Sequence, residues 1–327
     1  MRTGRLLVLA AVAASLATAF GAPNGASAED WPNRPVRVII PISPGSAADI
    51  VPRIVFEEVT HQIGQPVVIE NRPGAGGTIG ARAVAQSDAD GYTLLAISSA
   101  HTIAPAAFAN LGYDPAKDFI AVAPLGNLPN VLVIAPSKGI RNVKQLVAAG
   151  KEKPIMFGSI GANSPIHLSM ERFRLAAGFQ VQAIPFKGAP EALTETMTGR
   201  IDVYYAPISS ALSFIQNGKL IPLVVSSRQR SAALPDVPTS LEAGYPNSDY
   251  NFWIGVFAPA KTPRAIVDKL NAAIVTALKS STVQDKFAKI GVQPMTMSTK
   301  EFDAFIRQDF ITNATLAKAA GLTPQKE

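Results

Sequence analysis

The 327-residue chain contains no cysteine. That absence excludes disulfides, thiolate nucleophiles and every cysteine-based metal site. Histidine is almost as scarce, with only His61, His101 and His167 present. Any serine–histidine pair must therefore use one of these three. No G-x-S-x-G elbow and no H-E-x-x-H motif occurs, and no acidic cluster has metal-ligand spacing. Lys and Arg are scattered, without a run of five and without interleaved aromatics, which argues against nucleic acid as a partner. The apolar stretch at residues 6–20 is shorter than the ~20 residues that a membrane-spanning helix needs, and nothing later approaches that length. These gaps together speak against an enzyme, a metalloprotein and a membrane-spanning protein, and no cofactor is expected.

What is present begins with a leader. Arg2 and Arg5 form a basic start, residues 6–20 are apolar and Ala-rich, and Ala26-Ser27-Ala28 has a small-x-small cleavage pattern. Residues 1–28 are therefore expected to be a signal peptide cut between Ala28 and Glu29, releasing a periplasmic protein. Removing two arginines lowers the formal charge from +6 to +4, a mild bias that suits an anionic small molecule. The mature length sits where one core becomes two domains, and 47% hydrophobic residues suffice for them.

From Trp31 onward, short apolar runs alternate with helix-length amphipathic segments. Strands are expected at 36–41, 67–70, 93–97, 131–135, 155–158, 181–185, 203–206, 220–226 and 255–258. Helices are expected at 49–63, 77–87, 143–150, 165–177, 191–198, 211–217, 264–279 and 282–290. Such alternation predicts βαβ units and mostly parallel sheets covered by helices. Two stretches, 120–132 and 226–244, read as crossings between lobes.

Two loops carry the functional signal. The first is Pro41-Ile-Ser-Pro-Gly-Ser-Ala-Ala-Asp49, the second Gly158-Ser-Ile-Gly-Ala-Asn-Ser-Pro-Ile-His167. Each follows a strand and opens a helix, where unpaired backbone N–H groups and the helix dipole favour an anion. In the first loop, Ser43, Gly45 and Ser46 are candidate contacts. Ser46 and Asp49 also have the S-x-x-D spacing of a capping box, and spacing alone leaves capping and anion binding equally open. Asp49 reads as a loop organiser, since it would repel an anion. In the second loop, Ser159, Gly161, Ala162, Asn163 and Ser164 offer polar groups and close backbone approach. His167, disfavoured as a cation at a helix start, would act as a neutral hydrogen-bonding group. Ser98 and Ser99 end a strand where open α/β sheets place ligands. Phe186 and Lys187 follow another strand. Gly74-Ala-Gly-Gly-Thr-Ile-Gly80 resembles a dinucleotide turn but fails the G-x-G-x-x-G register, so it reads as one more strand-to-helix turn.

Several further motifs run through the chain in order. They include Trp31-Pro-x-Arg-Pro-Val-Arg37, Glu70-Asn-Arg-Pro-Gly-Ala-Gly-Gly-x-Ile-Gly80 and Asp90-Gly-Tyr-Thr-Leu-Leu95. Leu234-Pro-Asp-Val-Pro-Thr239 and Ala258-Pro-Ala-x-Thr-Pro263 follow. With the two loops, these make the chain resemble the extracytoplasmic receptors of tripartite tricarboxylate transporters, the Bug family. The resemblance implies a type II periplasmic-binding-protein fold, two α/β lobes with a ligand cleft between them and two crossing segments. The lobes would be 29–125 with 230–327, and 126–229. It also implies capture of a small carboxylate, dicarboxylate or aromatic, by the two loops. The expected partners are the membrane components of a tripartite transporter, with the receptor a monomer. A ligand sensor signalling to a membrane partner is the alternative, and an exported hydrolase would need a serine beside one of the histidines. One departure stands out: the family usually has Gly-Gly where this chain has Gly45-Ser46, and a small residue such as Ala where it has Ser43.

Overall fold

The computed structural model describes residues 31–161, 164–250 and 252–324. Residues 1–28, expected to be a leader, and the candidate residues Ala162 and Asn163 lie outside the described residues.

The chain opens with β1 (Val36–Ile40), α1 (Ala47–Ile63), β2 (Val67–Asn71), a 3₁₀ turn (Ala75–Gly77) and α2 (Thr78–Ala85). Then come β3 (Thr93–Ser98), α3 (Ala100–Ala107), β4 (Phe119–Asn127) and β5 (Asn130–Ile134). The middle of the chain holds α4 (Val143–Glu152), β6 (Ile155–Ser159), α5 (Pro165–Ala177), β7 (Val181–Pro185), α6 (Ala189–Met197), β8 (Val203–Pro207), α7 (Ile208–Gln216) and β9 (Ile221–Val225). It closes with β10 (Trp253–Pro259), α8 (Arg264–Lys279), α9 (Ser281–Lys289), β11 (Gln293–Pro294) and α10 (Thr299–Ala319).

Two sheets result. The first has the order β11-β4-β10-β3-β1-β2, the second β7-β6-β8-β5-β9. β1 pairs in parallel with β2 and β3, whereas β10 runs antiparallel between β3 and β4. In the second sheet, β6 is parallel to β7 and β8, while β5 is antiparallel to β8 and β9. The sheets are thus mixed rather than mostly parallel. The reversal follows from connectivity: only two residues separate β4 from β5, and β10 re-enters the first sheet antiparallel to both β3 and β4.

Alternation along the strands explains the layers. Val38 and Ile40 face one core with Leu94, Ala96, Val256 and residues of α1 and α8. Ile39, Leu95, Ile97 and Phe257 face the other way, against Phe302 and Ile306 of α10 and Ala81 and Val84 of α2. A sheet covered on both faces needs apolar residues at consecutive positions, which is why these strands read as continuous runs. Each such fully buried aliphatic or aromatic side chain contributes about 1.5–3 kcal/mol relative to exposure. The second sheet has its own core, built on Val131, Leu132, Phe157, Phe173, Tyr204 and Tyr205. Leu234 and Val237 of the 226–244 stretch pack into this second core.

The 120–132 stretch differs from expectation. Most of it is β4, which pairs along β10 with register shifts at Ile254/Gly255 and Val256/Phe257. Those irregularities accommodate Pro124, which has no N–H to give. Two helices, α3 and α10, were not anticipated. α10 begins at a full capping box, with Ser298 accepting from the Glu301 N–H and Glu301 accepting from the Ser298 N–H.

Candidate functional site

The parallel strands β1, β2 and β3 end on the same edge of the first sheet, and each is followed by a helix start. Those starts surround a small pocket lined by Pro41, Ile42, Ala48, Gly76, Gly77, Ala96, Ile97, Ser98 and Ala100. Its volume is ≈ 20 Å³, room for about one water molecule. Not one lining residue is charged, so any polarity of the walls comes from Ser98, backbone groups and helix ends.

Ser43, Gly45 and Ser46 lie exposed at the start of α1. Ser46 is its N-cap, but only its carbonyl closes the first turn, accepting from the Asp49 and Ile50 N–H groups at 2.9 Å. The Ser46 side chain does not cap the helix, so the capping box does not form. Asp49 turns instead to the loop: Oδ2 accepts the Gly45 N–H at 2.9 Å, Oδ1 accepts from Asn71 Nδ2 at 2.8 Å, and Arg53 Nε lies 3.1 Å from both oxygens. Asn71 also donates to the Ile42 carbonyl at 3.0 Å. Burial pushes the Asp49 carboxyl up, but bonds from Arg53, Asn71 and Gly45 more than reverse it, leaving the pKa below its usual value. Asp49 and Arg53 thus neutralise each other and hold the loop. The hydroxyls of Ser43 and Ser46 make no hydrogen bond with a described residue.

The Gly74–Gly80 run contributes more than its sequence suggested. Gly76 and Gly77 line the pocket with φ of +63° and +98°, a region where a side chain is strained. Gly80 lets α2 press against β1, since a Cβ there would stand 2.8 Å from Pro41 Cβ and 2.9 Å from the Arg72 carbonyl. The usable signal was the strand-turn-helix pattern itself, repeated three times at one sheet edge. Of the two serines ending β3, Ser98 lines the pocket and accepts the Ala100 N–H at 3.3 Å, whereas Ser99 is fully buried.

The second loop forms a separate cluster after β6. Ser164 caps α5, accepting the His167 N–H at 3.2 Å and donating to the Gly161 carbonyl at 2.8 Å, and Pro165 opens the helix. Ser159 is buried, and its hydroxyl lies 2.9 Å from His167 Nδ1 while accepting the Gly161 N–H at 3.2 Å. His167 Nε2 is 3.9 Å from Glu171 Oε1. Burial lowers the His167 pKa, Glu171 partly opposing and Arg174 adding to the effect. A neutral imidazole follows at neutral pH. Phe186 donates its N–H to the Ser159 carbonyl at 2.8 Å and leans on the second core. Lys187 is exposed, its N–H bonded to Glu191 at 3.1 Å.

Ser159, His167 and Glu171 fall in the chain of contacts that nucleophilic catalysis uses. Here the serine oxygen already accepts the loop's own Gly161 N–H, and Ser159 as a residue is 4% exposed. Among the described residues, no group of histidines and carboxylates could hold a metal ion, and no helix is long and apolar enough to cross a membrane.

Comparison with known proteins agrees with this architecture. Residues 51–322 match the description of the tripartite tricarboxylate transporter family receptor. The chain is 34% identical to the protein BugT of Bordetella pertussis over 318 residues, 96% of this chain and 97% of that one. Among solved structures, a protein of R. palustris with adipate superposes with a TM-score of 0.81 at 30% identity, covering 90% of this chain and all (100%) of the other. MatC from Rhodopseudomonas palustris with bound malate gives 0.75 at 30% identity, with 88% and 99% covered.

Proposed function

The chain belongs to the tripartite tricarboxylate transporter receptor family, periplasmic solute-binding proteins of two-lobed fold, and from that premise we propose that it captures a small dicarboxylate. It works as a receptor rather than an enzyme, handing its ligand to the membrane components of a tripartite transporter. The observation that carries the ligand class is the uncharged pocket where three strand-to-helix turns converge. Backbone donors at helix starts suit a carboxylate without requiring an ion pair. The adipate and malate bound by two relatives support the same class.

On the first lobe, Ser43, Gly45, Ser46 and Ser98 would contact the ligand, joined by Gly76 and Gly77 of the third turn. On the second, Gly161, Ala162, Asn163 and Ser164 would meet it with the start of α5, flanked by Phe186 and Lys187. In the ligand-free protein, Asp49, Ser99, Ser159 and His167 would hold these loops in shape. The expected division into 29–125 and 126–229 would move its first boundary to 128–129, because Gly126 and Asn127 belong to β4 of the first sheet and Leu128 packs in the first core. The packing of Leu234 and Val237 argues for moving the segment around them from the first lobe to the second. Closure would then be a hinge motion about the stretches near 128–129 and 226–252, with ligand shifting an open–closed equilibrium. We also expect residues 1–28 to be removed on export and the receptor to act as a monomer.

Calorimetry of the exported protein against a panel of mono-, di- and aromatic carboxylates tests the reading. Selective heat and a rise in melting temperature with dicarboxylates are expected. No response to any member of the panel would overturn it. No observation favours a sensor role over transport.

A further inference from the structure

His167 sits in the first turn of α5, 6% exposed, with its two nitrogens in opposite environments. Nδ1 lies 2.9 Å from Ser159 Oγ, and Nε2 points toward Glu171 Oε1 at 3.9 Å. Glu171 is itself 5% exposed and held by Arg174, whose Nε and Nη2 stand 2.8 and 2.5 Å from Oε2. The charges acting on the ring are therefore Glu171 and Arg174, both on its own helix, with the Phe157 ring of β6 packed 5.2 Å away.

This arrangement selects one tautomer. A proton on Nδ1 alone would turn the Nε2 lone pair toward the Glu171 carboxylate, which repels it. A proton on Nε2 instead faces that carboxylate and leaves Nδ1 as an acceptor. Ser159 then donates its O–H to Nδ1, while its oxygen accepts the Gly161 N–H at 3.2 Å. In this state the serine hydrogen is committed to the histidine.

Protonation of the ring reverses that bond. Nδ1–H becomes the donor, Ser159 Oγ accepts from both Nδ1 and Gly161, and the serine's own hydrogen must find another acceptor. Ser159 is 4% exposed, so an unpaired hydroxyl there is unfavourable. A carboxylate resting on the start of α5 supplies the missing acceptor. We propose that carboxylate capture at this loop is coupled to uptake of one solvent proton by His167, with the Ser159 hydroxyl switching its hydrogen bond from the histidine to the ligand. His167 is then a positioning residue that reaches the ligand only through Ser159. The coupling is reciprocal: the ligand raises the proton affinity of His167, and the proton raises affinity for the ligand. Burial, which holds the free imidazole below its ordinary pKa, leaves that proton available to be gained near neutrality. The inference rests on the carboxylate reading of the loop proposed above.

The test is calorimetric titration of the exported protein with adipate and with malate between pH 6 and 8, where the carboxyls of both stay ionised. Buffers of different ionisation enthalpy report the protons exchanged. Uptake rising toward about one proton per ligand at the low end of this range and averaging about half a proton across it, with affinity rising roughly tenfold from pH 8 to 6, is expected. His167→Gln and Ser159→Ala should abolish the uptake and flatten the profile. Glu171→Gln should move it to lower pH, a displacement that a purely structural role would not produce. Nitrogen-15 spectra of the free wild-type protein should show the His167 proton on Nε2, a readout independent of any variant. Binding without proton exchange in the wild type, or a proton on Nδ1, overturns this inference alone. Failure of adipate and malate to bind at any pH overturns it together with the carboxylate reading.

Discussion

Asp49 Oδ2 accepts the backbone N–H of Gly45 at 2.9 Å, so the acid of the first loop bonds the loop that precedes its own helix. Its other partners, Arg53 and Asn71, tie that loop to α1 and β2. Asp49→Ala removes one acceptor and strands several donors around a 2%-exposed site. A loss of about 2–4 kcal/mol is expected in chemical denaturation. Because the folded pKa is depressed, this stabilisation is complete above the ordinary carboxyl value of 3.8 and is lost as pH falls through the folded value.

His101 offers the opposite case. It is fully buried among Phe119, Phe257 and Phe310, and burial lowers its pKa to about 4, the Pro115 carbonyl pulling slightly the other way. A group whose folded pKa lies below its unfolded one near 6.5 stabilises the fold above that value, and the stabilisation fades as pH falls toward 4. Its contribution to acid loss is on the order of 3 kcal/mol. His101→Phe should therefore flatten the melting temperature between pH 6.5 and 4. An unchanged slope would show that other groups drive acid unfolding.

Gly80 and Gly77 separate packing from backbone strain at the pocket. Gly80→Ala drives a Cβ into Pro41 and the Arg72 carbonyl, and a loss of about 1–3 kcal/mol is expected together with weaker binding, since Pro41 lines the pocket. Gly77→Ala meets only ordinary contacts, the nearest at 3.5 Å, but carries a φ of +98°. Its cost should stay near 1–2 kcal/mol. Paired denaturation and titration curves distinguish the two.

Ser46 marks a departure that can be reversed. Its side chain does not cap α1, so Ser46→Gly should change stability by only a few tenths of a kcal/mol. If the hydroxyl faces ligand, the same substitution should alter the ranking of dicarboxylates in a competition titration. An identical ranking would assign Ser46 no part in selectivity.

The sequence made some of this architecture plain and hid the rest for physical reasons. α5 was legible to the residue because Ser164, Pro165 and Gly178 punctuate both ends. β4 was hidden because Pro124 and Gly126 read as breakers. In the sheet, register shifts absorb the proline, and Val292 lies where a Cβ on Gly126 would reach 2.8 Å. α10 was hidden because its inward stripe mixes Phe302, Ile306 and Leu316 with half-buried Asp309 and buried Asn313. Asp309 accepts from Thr102, Trp253 and Asn313 at 2.6, 2.9 and 3.1 Å, so hydrogen-bonded polar residues interrupt the apolar period. The first loop was legible as a helix start, and Asp49 as its organiser. The Ser159–His167 contact was not, since eight residues and a loop separate the pair and only the fold brings them together.

The position of β10 has a consequence for how the chain comes to be folded. It lies between β3 and β4 in the first sheet, yet the whole second sheet, from β5 to β9, intervenes in sequence. A chain emerging N-terminus first presents β3 and β4 with no strand between them until that insertion has been completed. The second sheet is contiguous and its pairings are more local, so it is placed to form earlier. Until β10 arrives, the facing edges of β3 and β4 are both unpaired, the condition in which strands pair with the wrong neighbour. Completion of the first sheet thus waits for one buried strand, Trp253–Pro259, whose partners β3 and β4 lie more than a hundred residues earlier in the chain.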